Sequence, residues 1–292
     1  MRLSVETYHL ALKFGYEKAF KMLKEARFDA VDFSLYWENE GWLMKDDYRE
    51  KAIAIRKLLD EAGLVCTQSH APFHSVAAGK KKGVVYGEAF DESNPEFLET
   101  VRAMEVAAIM GAEHTVIHNL NAPFGIDLME YNIPFFKSLL PYAEKFGINI
   151  AIENLFRRDQ DAQYVPRLGS AADMNELIRR LDSDRFVLLV DVGHAKLVNI
   201  EPQDLIRELT PGALRGLHIQ DTDGRGDRHI LPYMGSIRWN QVMEALKKTG
   251  YRGDLTFEIP TTLNNTPCEL MEATLAYAVS VGKHLISIFN NL

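Results

Sequence analysis

Six apolar runs in succession carry, at or near their ends, side chains of the kind that hold metal ions. They are TQSHAPF with His70, TVIHN with His118, IAIEN with Glu153, LLVDVGH with Asp191 and His194, GLHIQD with His218, and LTFEI with Glu258. The motif DRH adds Asp227 and His229 just past the GLHIQD run, so five of the nine histidines fall at run ends or in the loop that follows. Buried strands are poor places for charge unless something compensates it, and a divalent cation compensates several carboxylates at once. Carboxylate and imidazole donors drawn from separate segments suit Zn²⁺, Mn²⁺, Co²⁺ or Mg²⁺. The minimal set is Glu153, Asp191, His218 and Glu258, with His70, His118, His194, Asp227 and His229 as further candidate ligands.

Two glutamates on either side of one cation suggest proton transfer. The ion would hold adjacent hydroxyl and carbonyl oxygens and stabilise the enediolate formed when a proton leaves the carbon next to the carbonyl. One of Glu153 and Glu258 removes that proton and the other returns it. Return to the neighbouring carbon is isomerisation; return to the opposite face is epimerisation. His194 is placed to hold a substrate oxygen or a further metal, and Arg225 and Arg228, in a polar loop, to bind a sugar hydroxyl or phosphate. Tyr36, Trp37 and Trp42 could wall a sugar pocket or simply pack; Trp37 is kept as a substrate contact. Asp221 and Asp223 could orient a ligand or shape their loop. His9, His114 and His284 read as hydrogen-bonded structural residues, while His74 is left open.

The elements that must position these groups alternate in type. Strands are expected at about Leu3–Thr7, Ala30–Tyr36, Val65–His70, Thr115–Asn119, Asn149–Asn154, Phe186–Val192, Gly216–Gln220 and Asp254–Ile259. Between them lie segments with apolar residues at helical spacing: FKMLKEA, AIAIRKLLDEAG, FLETVRAMEVAAIMGA, FFKSLLPYAEKFG, MNELIRRL and WNQVMEALKKTG, with a last one over Leu270–Phe289. Asn94-Pro95 and Ser170 read as helix starts, and Gly63, Gly111, Gly147 and Gly250 as helix ends. Eight such pairs predict a (β/α)₈ TIM barrel, one domain over residues 1–292. No glycine-rich phosphate loop follows the first strand, which disfavours a doubly wound sheet.

Alternation within strands then assigns faces. Ile150, Ile152, Leu217, Ile219, Leu255, Phe257 and Ile259 point toward the helices, as do Val190 and Ile117. Ala151, Glu153, Asp191, His118, His218, Thr256 and Glu258 point toward the axis, converging at the C-terminal mouth where barrel enzymes build their sites.

Composition narrows the class of partner. A hydrophobic share of 47% with 25% charged residues describes an ordinary globular chain, able to bury a large core. The net charge of −8 favours a cytosolic protein and argues against broad electrostatic binding to nucleic acid, although GKKKG (Gly79–Gly83), Arg157 and Arg158 could contact a phosphate backbone. No segment reads as a membrane span. Cys66 and Cys268 lack metal or redox spacing and are expected to be reduced, buried thiols. Oligomeric state, a homo-oligomer included, is left open.

Taken together, IENL, VDVGH, LHIQDTDGRGDRHILPYMGSI and GYRGDLTFEI resemble the xylose-isomerase-like barrel superfamily from His70 to Glu258. For its sugar and sugar-phosphate isomerases and epimerases, the resemblance implies a metal at Glu153, Asp191, His218 and Glu258. It also implies acid–base roles for the two glutamates and a substrate contact for His194. The same residues, with His70, His118, His194, Asp227 and His229, are similar to the three-metal cluster of endonuclease IV, a phosphodiesterase acting at abasic sites in DNA. That relative continues the DRH stretch into a GEG-like turn, whereas here it runs ILPYMGSIRW. A small-molecule sugar or sugar phosphate is therefore the expected substrate, with multi-zinc phosphodiester hydrolysis as the alternative.

Overall fold

Short runs of buried apolar residues, each too brief to be stable alone, pair in parallel around a common axis. The computed structural model describes residues 1–36, 41–73, 90–122 and 125–292. Its strands are β1 (Leu3–Glu6), β2 (Ala30–Ser34), β3 (Val65–His70), β4 (His114–Val116), β5 (Asn149–Glu153), β6 (Leu155–Arg158), β7 (Tyr164–Arg167), β8 (Phe186–Asp191), β9 (Leu214–His218) and β10 (Leu255–Phe257). Eight of them form one parallel sheet in the order β10-β1-β2-β3-β4-β5-β8-β9. A bridge between Ile219 and Phe257 brings its edges together, with Ile219 N donating to Thr256 O and Glu258 N to Ile219 O. The chain is a single-domain (β/α)₈ barrel.

Side-chain alternation sorts the interior from the shell. Ile117, Ile150, Ile152, Val190, Leu217, Ile219, Leu255, Phe257 and Ile259 join the large core between strands and helices. Val116, Ala151, Val187 and Leu189 form a separate apolar cluster inside the barrel. The expected helices are present, for example at Tyr48–Ala62, Pro95–Met110, Leu128–Phe146 and Ala171–Leu181. Asn94 Oδ1 accepts from Glu96 N, and Ser170 closes a capping box with Asp173. Gly63, Gly111, Gly147 and Gly250 all adopt positive φ.

Differences from the sequence reading are local. The strand expected at Gly216–Gln220 begins at Leu214 and ends at His218, and β4 stops at Val116. Short helices at Tyr8–Phe14, Val192–Leu197 and Pro202–Glu208, and the antiparallel pair β6–β7, were not anticipated. Polar, partly exposed sequence such as LFRRDQDAQYVPR lacks the buried alternation that marks a barrel strand. Cys66 is buried as expected, but Cys268 is exposed, because it lies in a short 3₁₀ turn before the last helix; both thiols are free. Among the described residues, no helix is long and apolar enough to cross a membrane.

Candidate metal centre

Strand parity and strand length together place the ionisable groups. Glu153, Asp191 and His218 are the last residues of β5, β8 and β9, and Glu258 follows β10 by one residue. All four are buried above the apolar plug of Val116, Ala151, Val187 and Leu189. Each offers a ligand atom, and these atoms lie within 4.8 Å of one another. His218 Nδ1 is 3.0 Å from Glu153 Oε1 and 3.3 Å from Glu258 Oε2.

Two further groups adjoin this centre. His70, His118 and Glu153 form one, with His118 Nε2 2.8 Å from Glu153 Oε2 and 3.1 Å from His70 Nε2. Asp191, His194 and His229 form the other. Asp227 stands between its two imidazoles, with Oδ1 2.9 Å from His229 Nε2 and 3.5 Å from His194 Nε2. Every metal-ligand candidate named from sequence is therefore brought to one end of the barrel.

Several supporting residues were not singled out from sequence. Asp32 Oδ2 lies 3.5 Å from His218 Nε2, so one face of the imidazole meets the acids of the centre and the other meets Asp32. Gln68 Nε2 donates to Asp32 Oδ2 (2.6 Å), and Ser34 Oγ donates to Asp32 Oδ1. Gln220 Nε2 donates to Asp191 Oδ1, while Asn154 exchanges two hydrogen bonds with the Asp191 backbone. Tyr36 OH donates to Glu258 Oε1 at 2.7 Å, which leaves Oε2 for the centre. Such outer contacts orient ligands and raise their basicity. The signal for Asp32 was present: in AVDFS it has the same inward parity as the ligands.

Gly193 shows how tightly this shell is built. A Cβ at that position would sit 2.0 Å from Gln220 Nε2, inside the contact that positions Asp191. Gly193→Ala is expected to displace Gln220 and weaken divalent-metal affinity about 10-fold to 100-fold. Competition against a chromophoric chelator measures this, and an unchanged affinity overturns the role given to Gln220.

Charges in the cluster are strongly interdependent. Burial alone would lower the His218 pKa, but Glu258 and Glu153 hold it well above the ordinary histidine range. Burial is likewise outweighed at His194 by Asp191 and Asp227, and at His229 by Asp227 and Glu258. Burial opposes ionisation of Glu153, yet His218 and hydrogen bonds from His118, His194 and His218 keep it well below the usual carboxylate range. Asp191 is pushed up to about 6 by burial, and His118 down to about 4 for the same reason.

The donor set fits a divalent cation. Glu258 Oε2 is buried without a hydrogen-bond partner among the described residues, and it points at the same space as His218 Nδ1. A cation would replace the imidazole proton that balances the acids in its absence. At pH 7, metal uptake at Glu153, Asp191, His218 and Glu258 is expected to release about one proton per ion from His218. Affinity then rises with pH, roughly tenfold per unit, while His218 stays protonated in the ion-free protein. Calorimetry in two buffers of different ionisation enthalpy counts the proton; no release contradicts a protonated His218.

Comparison with known proteins agrees with the barrel fold. The family model for the xylose isomerase-like TIM barrel matches residues 14–281. The chain belongs to that family. Fructoselysine 3-epimerase from Escherichia coli O157:H7 is 24% identical over 258 residues, covering 86% of this chain and 88% of the epimerase. A D-tagatose 3-epimerase-like protein of known structure superposes with a TM-score of 0.74 at 20% identity, covering 100% of this chain and 99% of its own. The IOLI protein, solved with a bound zinc atom, superposes with a TM-score of 0.71 at 15% identity, covering 100% and 99%.

Within this xylose isomerase-like barrel, a cavity of about 300 Å³ opens over the centre. Phe73, Leu120, Leu155 and Phe156 give it an apolar wall, while Asn119, Arg167 and six of the nine metal-ligand candidates, all but His70, Asp191 and His218, give it polar groups. Arg225 and Arg228, the basic residues favoured from sequence, do not line it. Both are exposed on the loop after β9, and Arg228 Nη2 lies 3.6 Å from Asp223. Arg157 and Arg158 are exposed too, Arg158 stacking on the Tyr164 ring. Trp42 packs in the core, and His9 and His114 have hydrogen-bonded partners in Glu6 and Gln68. Asp221 shapes its loop, accepting from Thr222 N, Tyr233 N, Ile237 N and Trp239 Nε1. Trp37, His74 and Gly79–Gly83 lie outside the described residues.

Proposed function

We propose that this protein is a metal-dependent sugar isomerase or epimerase in which Glu153 and Glu258 exchange a proton with the carbon next to a carbonyl. The observation that carries the reading is the buried quartet of Glu153, Asp191, His218 and Glu258 beneath a substrate-sized cavity. Its two glutamates converge on one atom, His218 Nδ1, which meets an oxygen of each. Named relatives that act on sugars, among them a fructoselysine 3-epimerase, support the choice of substrate class.

A divalent ion held by the quartet supplies Lewis-acid polarisation of the substrate's oxygens. The remaining work falls to side chains. One glutamate takes the proton and the other delivers one, to the opposite face for epimerisation or to the adjacent carbon for isomerisation. Tyr36, its hydroxyl kept protonated by burial and by the charge of Glu258, holds that carboxylate in place. Phe73 and Phe156 pack against His118 and His194 and exclude water from the reacting end. His194, beside Asp227 on the cavity wall, is in position to bind a substrate hydroxyl.

Deuterium wash-in tests the reading. Incubation of the Mn²⁺-supplemented protein with ketoses in deuterated water is expected to label the carbon next to the carbonyl. Absence of label in any ketose or aldose tried overturns it.

A second reading has its own observation. The groups His70–His118–Glu153 and Asp191–His194–His229 extend the donor set to three adjoining positions, a pattern suited to holding a phosphodiester for hydrolysis. Metal analysis separates the two: one tightly held ion per chain favours proton transfer, and two or three zinc ions favour hydrolysis.

A further inference from the structure

Arg167 stands at the wall of the cavity with no ion-pair partner among the described residues. It ends β7, and its side chain faces the same space as Glu153, Glu258 and Asp227. Its Nη1 donates to Asn121 Oδ1 at 2.9 Å. Its Nε is buried with no hydrogen-bond partner among the described residues, and no carboxylate there reaches ion-pair distance of the guanidinium. Nearby Asn119, also on the wall, has in Oδ1 a buried acceptor with no hydrogen-bond partner among the described residues.

The position is fixed by backbone contacts. Leu155 pairs with Arg167 across the hairpin, two residues past Glu153. Asn119 Nδ2 donates to Arg167 O, tying β7 to the segment after β4, and a Cβ at Gly169 would meet Leu155 O at 2.4 Å, so the chain leaving the hairpin runs close against the start of β6. Burial pulls the Arg167 pKa down to about 10, with Glu153 acting in the opposite direction, so the group remains charged at neutral pH. A desolvated charge with an unused donor is costly unless a ligand supplies the acceptor. A guanidinium presents a fork suited to phosphate or carboxylate oxygens.

We propose that Arg167 is an oxyanion subsite, so that the sugar turned over at the quartet carries a phosphate or carboxylate group away from its reacting carbon. The sugar part rests on the function proposed above; the anion part does not. Asn119 Oδ1 accepts a hydroxyl of the same substrate, and the apolar wall of Phe73 and Phe156 lies along the chain between the two ends.

Two measurements test this separately. Calorimetric titration of the protein with inorganic phosphate is expected to show binding that Arg167→Gln weakens at least about 10-fold and Arg167→Lys weakens less. Equal binding by wild type and Arg167→Gln, or none by wild type, overturns the subsite. The second measurement compares deuterium exchange into a neutral ketose, its phosphorylated form and a carboxylated ketose. One anionic form is expected to exceed the neutral sugar in kcat/KM by at least about 30-fold, with the ratio collapsing in Arg167→Gln through KM. The form that wins identifies the anion. Exchange that is indifferent to Arg167 overturns the subsite and leaves the isomerase reading standing. Arg167-dependent phosphate binding without exchange into any sugar supports the subsite and removes the isomerase reading. Circular dichroism of both variants establishes that they are folded.

Discussion

Glu153→Gln and Glu258→Gln are each expected to lower deuterium exchange by about a thousandfold, even at saturating Mn²⁺. The amide is isosteric with the carboxylate but cannot accept the proton, and general-base catalysis contributes roughly 10²–10⁴-fold. Both residues are also candidate ligands, so each substitution weakens metal binding as well. Measuring at several metal concentrations separates the effects, because a deficit due only to lost ion disappears as metal is raised. Glu258 has one oxygen on Tyr36 and the other turned to the centre. Glu153 faces His218 with one oxygen and His118 with the other. Full exchange by either variant, with metal bound, would show that the proton is carried by another group.

Stripping the protein of divalent metal is expected to lower its Tm by about 8 °C. Saturation of a site at roughly a thousand times its Kd contributes about 4 kcal/mol to the folded state. For a chain of this length each kcal/mol corresponds to about 2 °C. The quartet gives a structural reason: Glu153, Asp191 and Glu258 are buried together, and in the absence of a cation protonated imidazoles must oppose their repulsion. Differential scanning calorimetry before and after chelation, followed by re-addition of Mn²⁺ or Zn²⁺, measures the shift and its reversal. An identical Tm in all three samples is incompatible with an ion resident at these residues.

Much of this site is legible in the chain because a barrel imposes a simple rule on sequence. A polar residue on the inward parity of a strand otherwise made of Ile, Val and Leu must face the axis, and a strand end must lie near the mouth. That rule finds Glu153, Asp191, His218 and Glu258 without any view of tertiary structure. It also applies to Asp32, which lies in mid-strand between Val31 and Phe33 rather than at a strand end. The cavity wall is another matter. Arg167 is remote from the metal-ligand motifs and belongs to a hairpin whose sequence is polar and partly exposed; only the pairing of β6 with β7 turns it toward Glu153. Arg228 follows Asp227 directly and Arg225 precedes it by two residues, yet the loop turns both toward solvent. Proximity along the chain is a weak guide where loops, rather than strands, determine direction.

Glu153 has its two oxygens turned to different neighbours: Oε1 toward His218 and Oε2 toward His118 and His70. Occupancy of the two adjoining positions is consequently linked through a single residue, and linkage is reciprocal. Whatever free energy an ion beside His218 adds to or removes from binding beside His118, the second ion returns to the first in equal measure. Were ions to enter both positions, a metal titration would measure a coupled pair, and fitting it as independent sites would assign to each a constant that belongs to neither.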